Sequence, residues 1–178
     1  MSPDLKLDDS DFALFGLPER FELDRADLDA RWRRLQASAH PDRFAAEGAA
    51  SQRLAMQWSV RINEAYRRLR DPLSRAAYLC ELRGAPIAAH SNTAMPGEFL
   101  MQQMAWREAL DDAASDDAAL AALDAEVRQT ETALLAQVAG LLDGDAASPA
   151  RAAERVRALM FVQRFRADLN ERLDALHD

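Results

Sequence analysis

His40-Pro41-Asp42 is the stretch that decides the fold of the first part of this 178-residue chain. It separates two segments with helical periodicity, Asp24 to Ala39 and Ser51 to Leu69. Proline fixes its own φ and disfavours the α conformation of the residue before it, so the tripeptide predicts a break between two helices. Two helices joined by a short loop favour an antiparallel hairpin.

Both flanking helices are amphipathic and rich in arginine. In the first, Leu28, Trp32 and Leu35 recur at i, i+4 and i+7 and form one apolar face. Arg31 and Arg34 point away from that face, either as ordinary solvated residues or as a basic surface beside the loop. The second helix has an apolar face, with Trp58 at its edge, that consists of Ala55, Ile62, Ala65, Tyr66 and Leu69.

Glycine and proline mark the other boundaries of a predicted N-terminal domain, residues 1–83. A short apolar turn of helix begins at Asp11 and is stopped by Gly16-Leu17-Pro18. Asp71-Pro72, an N-cap followed by proline, predicts a further short helix. Turn-forming residues after that helix predict a linker at 84–95.

Residues 96–178 predict a three-helix bundle, so the fold class expected for the whole chain is all-α. The helices start at Pro96, at Ser115-Asp116-Asp117 and at Ser148-Pro149. Short connections make such helices antiparallel neighbours. The core stripes of the second and third helices consist of Leu120, Leu123, Val127, Thr130, Leu134, Val138 and Leu141, and of Val162, Phe165, Leu169, Leu173 and Leu176.

The helix that starts at Pro96 has two apolar faces. One face, sufficient to bury the helix, consists of Phe99, Trp106, Leu110 and Ala113. The opposite face, bordered by Glu108, Asp111 and Asp112, consists of Leu100, Met101 and Met104. An outer helix of a bundle needs one apolar face, so the second predicts a binding patch. The alternatives are that the N-terminal domain covers this face or that the helix is rotated.

The net charge of -8 argues against nucleic acid or an anionic membrane as a partner. The segment from Arg25 to Arg75 is basic although the whole chain is acidic, because it contains eleven arginines and six acidic residues. This local positive charge predicts an acidic partner for that segment. Cys80 is the single cysteine, so we expect no disulfide, no zinc or cluster site and no cofactor. We expect no secretory signal and no transmembrane segment, and a location in the bacterial cytosol.

A catalytic role for His40 and Asp42 has weak support. The pair has no Ser or Cys nucleophile nearby in the sequence, and His90 and His177 add no metal-ligand spacing. A small hydrolase built on this pair is the alternative of a different functional class.

The tripeptide and its surroundings resemble the J-domain of DnaJ-type co-chaperones, and nearly the whole chain resembles the HscB family of iron–sulfur cluster biogenesis. The motifs that carry the resemblance are Leu14-Phe15-Gly16-Leu17-Pro18, His40-Pro41-Asp42-Arg43, Asn63-Glu64-Ala65-Tyr66 and Leu69 to Ala76. Ala39 stands where the family usually has an aromatic residue. The resemblance implies binding to an HscA-type ATPase chaperone of the DnaK class, and stimulation of its ATP hydrolysis, through His40, Pro41, Asp42, Arg31, Arg34 and Arg43.

The same resemblance implies that the C-terminal bundle holds IscU, the scaffold on which the cluster is assembled. The scaffold-facing positions carry over onto Leu100, Met101, Met104, Glu108, Asp112 and Phe161. One usual acidic position is Ala105 here, which weakens the polar rim. The expected function is that of an adaptor, not an enzyme, that stimulates the ATPase and delivers IscU to it. A DnaK-class co-chaperone with a different client is the alternative.

Overall fold

The computed structural model describes residues 6–44, 48–88, 94–113 and 115–177, and the regular structure in these ranges is helical, as predicted. The chain forms two compact units, Met1–Tyr78 and Leu79–Asp178. No helix in the described ranges is both long and apolar enough to cross a membrane. The domain limits drawn from the sequence stay predictions.

The first unit is built on a helical hairpin. Its helices are α1 (Asp11–Phe15), α2 (Arg25–Ala39), α3 (Ala49–Arg70) and the first part of α4 (Pro72–Leu82), with a 3₁₀ turn at Pro41–Phe44. Hydrogen bonds between side chains join α2 to α3, and the order of the bonded residues shows that the two helices run in opposite directions. The hydrogen bonds join Asp29 to Tyr66, Trp32 to Asn63 and Gln36 to Ser59. The predicted antiparallel hairpin is therefore confirmed.

The two ends of α2 follow from single residues. Asp24 is the N-cap, and its carboxylate accepts hydrogen bonds from the N–H groups of Ala26 at 2.8 Å and Asp27 at 3.2 Å. His40 adopts an extended conformation, with φ −64° and ψ 127°. A following proline favours that conformation, so the chain leaves the helix at this residue.

The core of the first unit contains the apolar faces of α1, α2 and α3. The buried side chains there include Phe12, Leu28, Ala55, Trp58, Ile62, Ala65 and Leu69. Trp58 is thus a core residue, although periodicity placed it at the edge. Tyr66 is half-buried, because its hydroxyl donates to the Asp29 carboxylate and its ring stacks on Trp32 with a centroid distance of 4.6 Å.

A buried carboxylate ties α1 to its neighbours. Asp11 is fully buried, and its oxygens lie 2.7 Å from Arg61 and 2.9 Å from Arg68 on α3. Its N–H donates to the Tyr78 hydroxyl at 3.0 Å. Loss of one partner from a buried ion pair leaves the other charge uncompensated, so α1 depends on this cluster for its place. Periodicity does not predict the cluster because its members are far apart in the sequence.

The second unit contains three long helices, as predicted: α5 (Gly97–Ala113), α6 (Asp117–Asp143) and α7 (Pro149–His177). The Asp116 carboxylate caps α6 by accepting a bond from the Ala119 N–H at 3.1 Å. The buried stripes include Leu120, Leu123, Val127, Leu134, Val138, Leu142, Val162, Phe165 and Leu169. Thr130, Leu141 and Leu173, assigned to the core from the sequence, are half-buried, and Leu142 takes the place of Leu141. The side chain of Leu176, assigned to the same stripe, lies outside the described part of the structure.

The segment that precedes α5 packs onto α7 where the structure describes it. Buried Arg157 donates hydrogen bonds to the carbonyl oxygens of Ala94 at 2.5 Å and Ile87 at 3.1 Å. Cys80 is buried in the same unit, and burial raises the pKa of its thiol to about 11, although Arg83 and Arg157 act in the opposite direction. The thiol is therefore protonated and unreactive near neutral pH.

Candidate functional site

The tripeptide forms an exposed turn at the end of α2. The side chains of His40 and Asp42 are 58% and 89% exposed. The Asp42 N–H donates to His40 Nδ1 at 3.3 Å, and the Asp42 carboxylate lies 3.6 Å from the same nitrogen. The turn therefore presents a free carboxylate edge to solvent, which suits bidentate recognition by an arginine. Pro41 and Arg43 lie in this turn, but their side chains are outside the described part of the structure.

The two arginines assigned to the basic face of α2 differ in their surroundings. Arg34 is exposed. Arg31 is half-buried, and its Nε lies 2.9 Å from each carboxylate oxygen of Asp27. Its guanidinium also donates to the carbonyl oxygens of Phe15 and Gly16, each at 3.0 Å. A cation at a helix C-terminus satisfies free carbonyls there, so Arg31 braces the junction of α1 with α2. Its contact with a chaperone stays a prediction.

The two predicted faces of α5 are confirmed. The buried residues of this helix are Phe99, Trp106, Leu110 and Ala113. On the opposite face, Leu100, Met101 and Met104 are 43%, 70% and 66% exposed. We name these three residues the α5 patch. A contiguous group of large exposed apolar side chains is typical of an interaction surface.

A closed ring of four aromatic side chains fixes α5 against α7. Phe99 meets Trp106 and Phe161 edge to face, with centroid distances of 6.0 Å and 5.8 Å. Phe165 stacks on Trp106 at 5.5 Å and on Phe161 at 6.1 Å. The Trp106 Nε1 donates to a Glu126 carboxylate oxygen on α6 at 2.8 Å. These contacts set the rotation of α5 and so turn the α5 patch outward.

The border of the α5 patch combines an aromatic ring with acidic groups. Phe161 is half-buried, and the Arg107 guanidinium lies 5.5 Å from its ring centroid. Glu108 and Asp112 are exposed. The structure thus places all the predicted scaffold-facing residues at least partly on the surface. It adds the contact of Arg107 with Phe161. Arg107 lies in the part of α5 whose sequence resembles the family motif, but the sequence does not assign it to the scaffold-facing positions, because a contact between two helices leaves no periodic signal.

Comparison with known proteins gives consistent matches over the chain. The family model described as "HSCB C-terminal oligomerisation domain" matches residues 95–170. A "Co-chaperone protein HscB homolog" from Burkholderia mallei is 52% identical over 97% of this chain and 98% of its own. The homologue of that name from Paraburkholderia phymatum is 50% identical, over 96% of this chain and 97% of the relative's own length.

Two solved structures share the fold. "Chaperone HscB from Vibrio cholerae" superposes with a TM-score of 0.80 and 36% identity, over 94% of this chain and 99% of its own. Human co-chaperone protein HscB superposes with a TM-score of 0.82 and 25% identity, over 96% and 83%.

The hairpin with its exposed His-Pro-Asp turn, the helical second unit and these similarities define a co-chaperone rather than an enzyme. The hydrolase alternative is thereby set aside. The chain belongs to the HscB family, which its identity to full-length relatives establishes.

Proposed function

We propose that the chain stimulates the ATPase of an HscA-type chaperone of the DnaK class and delivers the scaffold IscU to it, in support of iron–sulfur cluster maturation. The observation that carries the proposal is that each unit exposes one unusual surface, the His40-Pro41-Asp42 turn and the α5 patch. An adaptor that binds two partners raises the local concentration of one at the other. A cytosolic location and the domain limits 1–83, 84–95 and 96–178 belong to the same proposal.

On the chaperone side, Asp42 supplies the carboxylate, and Arg34 supplies an exposed cation on the helix that leads into the turn. His40, Pro41, Arg43 and Arg31 complete the proposed contact. The charges act over roughly 8 Å at physiological salt, so docking is fast and sensitive to ionic strength. Because the turn is already formed in the free chain, little ordering is needed when the chaperone binds.

On the client side, Leu100, Met101 and Met104 supply apolar area, and methionine adapts its shape to a partner surface. Phe161 extends the surface onto α7. Glu108 and Asp112 supply a polar rim, which orients a partner more than it strengthens binding.

The chaperone part of the proposal is tested with Asp42→Asn, which removes the charge and keeps the shape. The steady-state ATP hydrolysis of HscA is measured with and without IscU. We expect strong stimulation by the wild-type chain and none by the variant, while IscU binding is retained. Asp168→Asn, an exposed position on α7, is the matched control and retains stimulation. Equal stimulation by both variants would refute this role of the turn.

The client part is tested with Leu100→Ser combined with Met104→Ser. Titration calorimetry should show that IscU binding is lost, whereas Met56→Ser, an exposed methionine on α3, leaves it unchanged. If the double variant binds IscU like the wild type, the scaffold role fails, and a DnaK-class co-chaperone with a different client takes its place.

A further inference from the structure

Phe161 differs from the other three rings of the aromatic cluster because it reaches the surface. Phe99, Trp106 and Phe165 are buried, whereas Phe161 is half-buried. Its ring packs on Phe165 with an interplanar angle of 17° and on Phe99 with an angle of 81°. The cluster therefore supports Phe161 from the inside and leaves part of the ring accessible.

Arg107 holds the same ring from the solvent side. Its guanidinium lies 5.5 Å from the Phe161 centroid, within the range of a cation–π contact, and the residue is exposed. Arg107 follows Leu100 by seven residues and Met104 by three, so the three side chains share one side of α5. A partner that covers the α5 patch therefore meets Arg107 and Phe161 as well.

The strength of this contact depends on solvent. A cation–π pair is weak when exposed and stronger when it is desolvated. A client that covers Phe161 would remove water from the pair, so the contact stabilises the complex more than the free chain. The contact also restricts the ring before binding, which lowers the entropic cost of ordering it in the complex.

We propose that Arg107 is a positioning residue that holds Phe161 at the edge of the α5 patch and so raises the affinity for the client. This inference rests on the proposed binding of IscU. Arg107 acts through the aromatic ring and not by pairing its charge with an acidic group of the client.

The first test is a double-mutant cycle on the affinity for IscU, measured by calorimetry at fixed salt. Arg107→Gln should weaken binding roughly three- to ten-fold, and Arg107→Lys should weaken it less because the cation is kept. In a Phe161→Leu background, Arg107→Gln should have less than about a two-fold effect. The matched control is Arg151→Gln, which makes the same charge change at an exposed position about 15 Å away along α7.

The second readout uses the free protein. In aromatic ¹H–¹³C NMR spectra, the ring signals of Phe161 should shift in Arg107→Gln and stay in place in Arg151→Gln, with equal thermal midpoints. The inference would be overturned if Arg107→Gln left the Phe161 signals or the affinity for IscU unchanged. It would also be overturned if Arg107→Gln lowered the affinity equally in the wild-type and Phe161→Leu backgrounds. If the wild-type chain does not bind IscU, both the proposed function and the proposed effect of Arg107 on affinity are wrong. The spectra would still show whether Arg107 contacts Phe161.

Discussion

Arg31 on α2 donates a hydrogen bond of 3.0 Å to the carbonyl oxygen of Phe15, the last residue of α1. The next residue, Gly16, has φ 62°, and a Cβ built there would lie 3.3 Å from the Arg31 guanidinium. The junction thus requires a residue that tolerates a positive φ and an arginine within reach of the free carbonyls. Arg31, which the resemblance assigns to chaperone binding, therefore also stabilises the fold of the first unit.

We therefore expect Arg31 and Arg34 to respond differently to replacement by alanine. Arg31→Ala should lower the free energy of unfolding by about 1–2 kcal/mol, because it loses charge-assisted bonds at a partly exposed site. Arg34→Ala should change it by less than about 0.5 kcal/mol and should reduce HscA stimulation. Urea unfolding and steady-state ATPase assays measure the two effects. If Arg31→Ala had the same free energy of unfolding as the wild type, the hydrogen bonds of Arg31 would contribute nothing to stability.

Asp11→Asn should destabilise the first unit. The change keeps the shape of the side chain but leaves Arg61 and Arg68 without their buried counter-charge. We expect a loss of about 2–4 kcal/mol, less than for a fully enclosed pair because Arg68 is partly exposed. Chemical unfolding monitored by circular dichroism measures the loss. Asp8→Asn, an exposed neighbour in the sequence, serves as the control and should have little effect.

The thiol of Cys80 predicts a loss of stability at alkaline pH. Burial raises its pKa from 9.0 to about 11, so the thiol of the unfolded chain loses its proton first as the pH rises. Below pH 9 the protonated thiol makes its full contribution to the free energy of unfolding. Between pH 9 and 11 this contribution decreases, by up to about 2–3 kcal/mol in total. Unfolding titrations across this range should show a smaller pH dependence in Cys80→Ala. Identical pH profiles would contradict the assignment.

Replacements on the two faces of α5 should separate binding from folding. Leu100→Ser and Met104→Ser should leave the thermal midpoint nearly unchanged, because neither side chain belongs to the buried face of α5 and they are 43% and 66% exposed. Phe99→Ala should lower the free energy of unfolding by about 3–5 kcal/mol, because it empties a buried position in the aromatic cluster. Differential scanning calorimetry distinguishes the cases. A large loss of stability in Met104→Ser would place that residue in the core instead.

Local chemistry is the part of this fold that the sequence makes predictable. Asp24 and Asp116 cap the helices that their positions indicate, and His40 leaves the helix where the following proline requires it. The two faces of α5 follow from periodicity because each residue advances about 100° around the helix.

Contacts between distant residues are the part that escapes such reasoning. Asp11 meets Arg61 and Arg68 only after α1 has docked on α3, and Arg107 meets Phe161 only after α5 has docked on α7. The same limit applies to the candidate site. The sequence predicts Arg31 on the basic face of α2, but its bonds to Phe15 and Gly16 depend on the fold of the whole unit.

The buried Trp106 offers a natural optical probe. Of the three tryptophans, Trp32 and Trp58 lie in the first unit and Trp106 lies in the second, where its indole donates to Glu126. Replacement of the first two by phenylalanine leaves one tryptophan. When it is excited at a wavelength that tyrosine hardly absorbs, its emission follows the second unit alone. The melting of that unit can then be recorded in the intact chain without any attached dye.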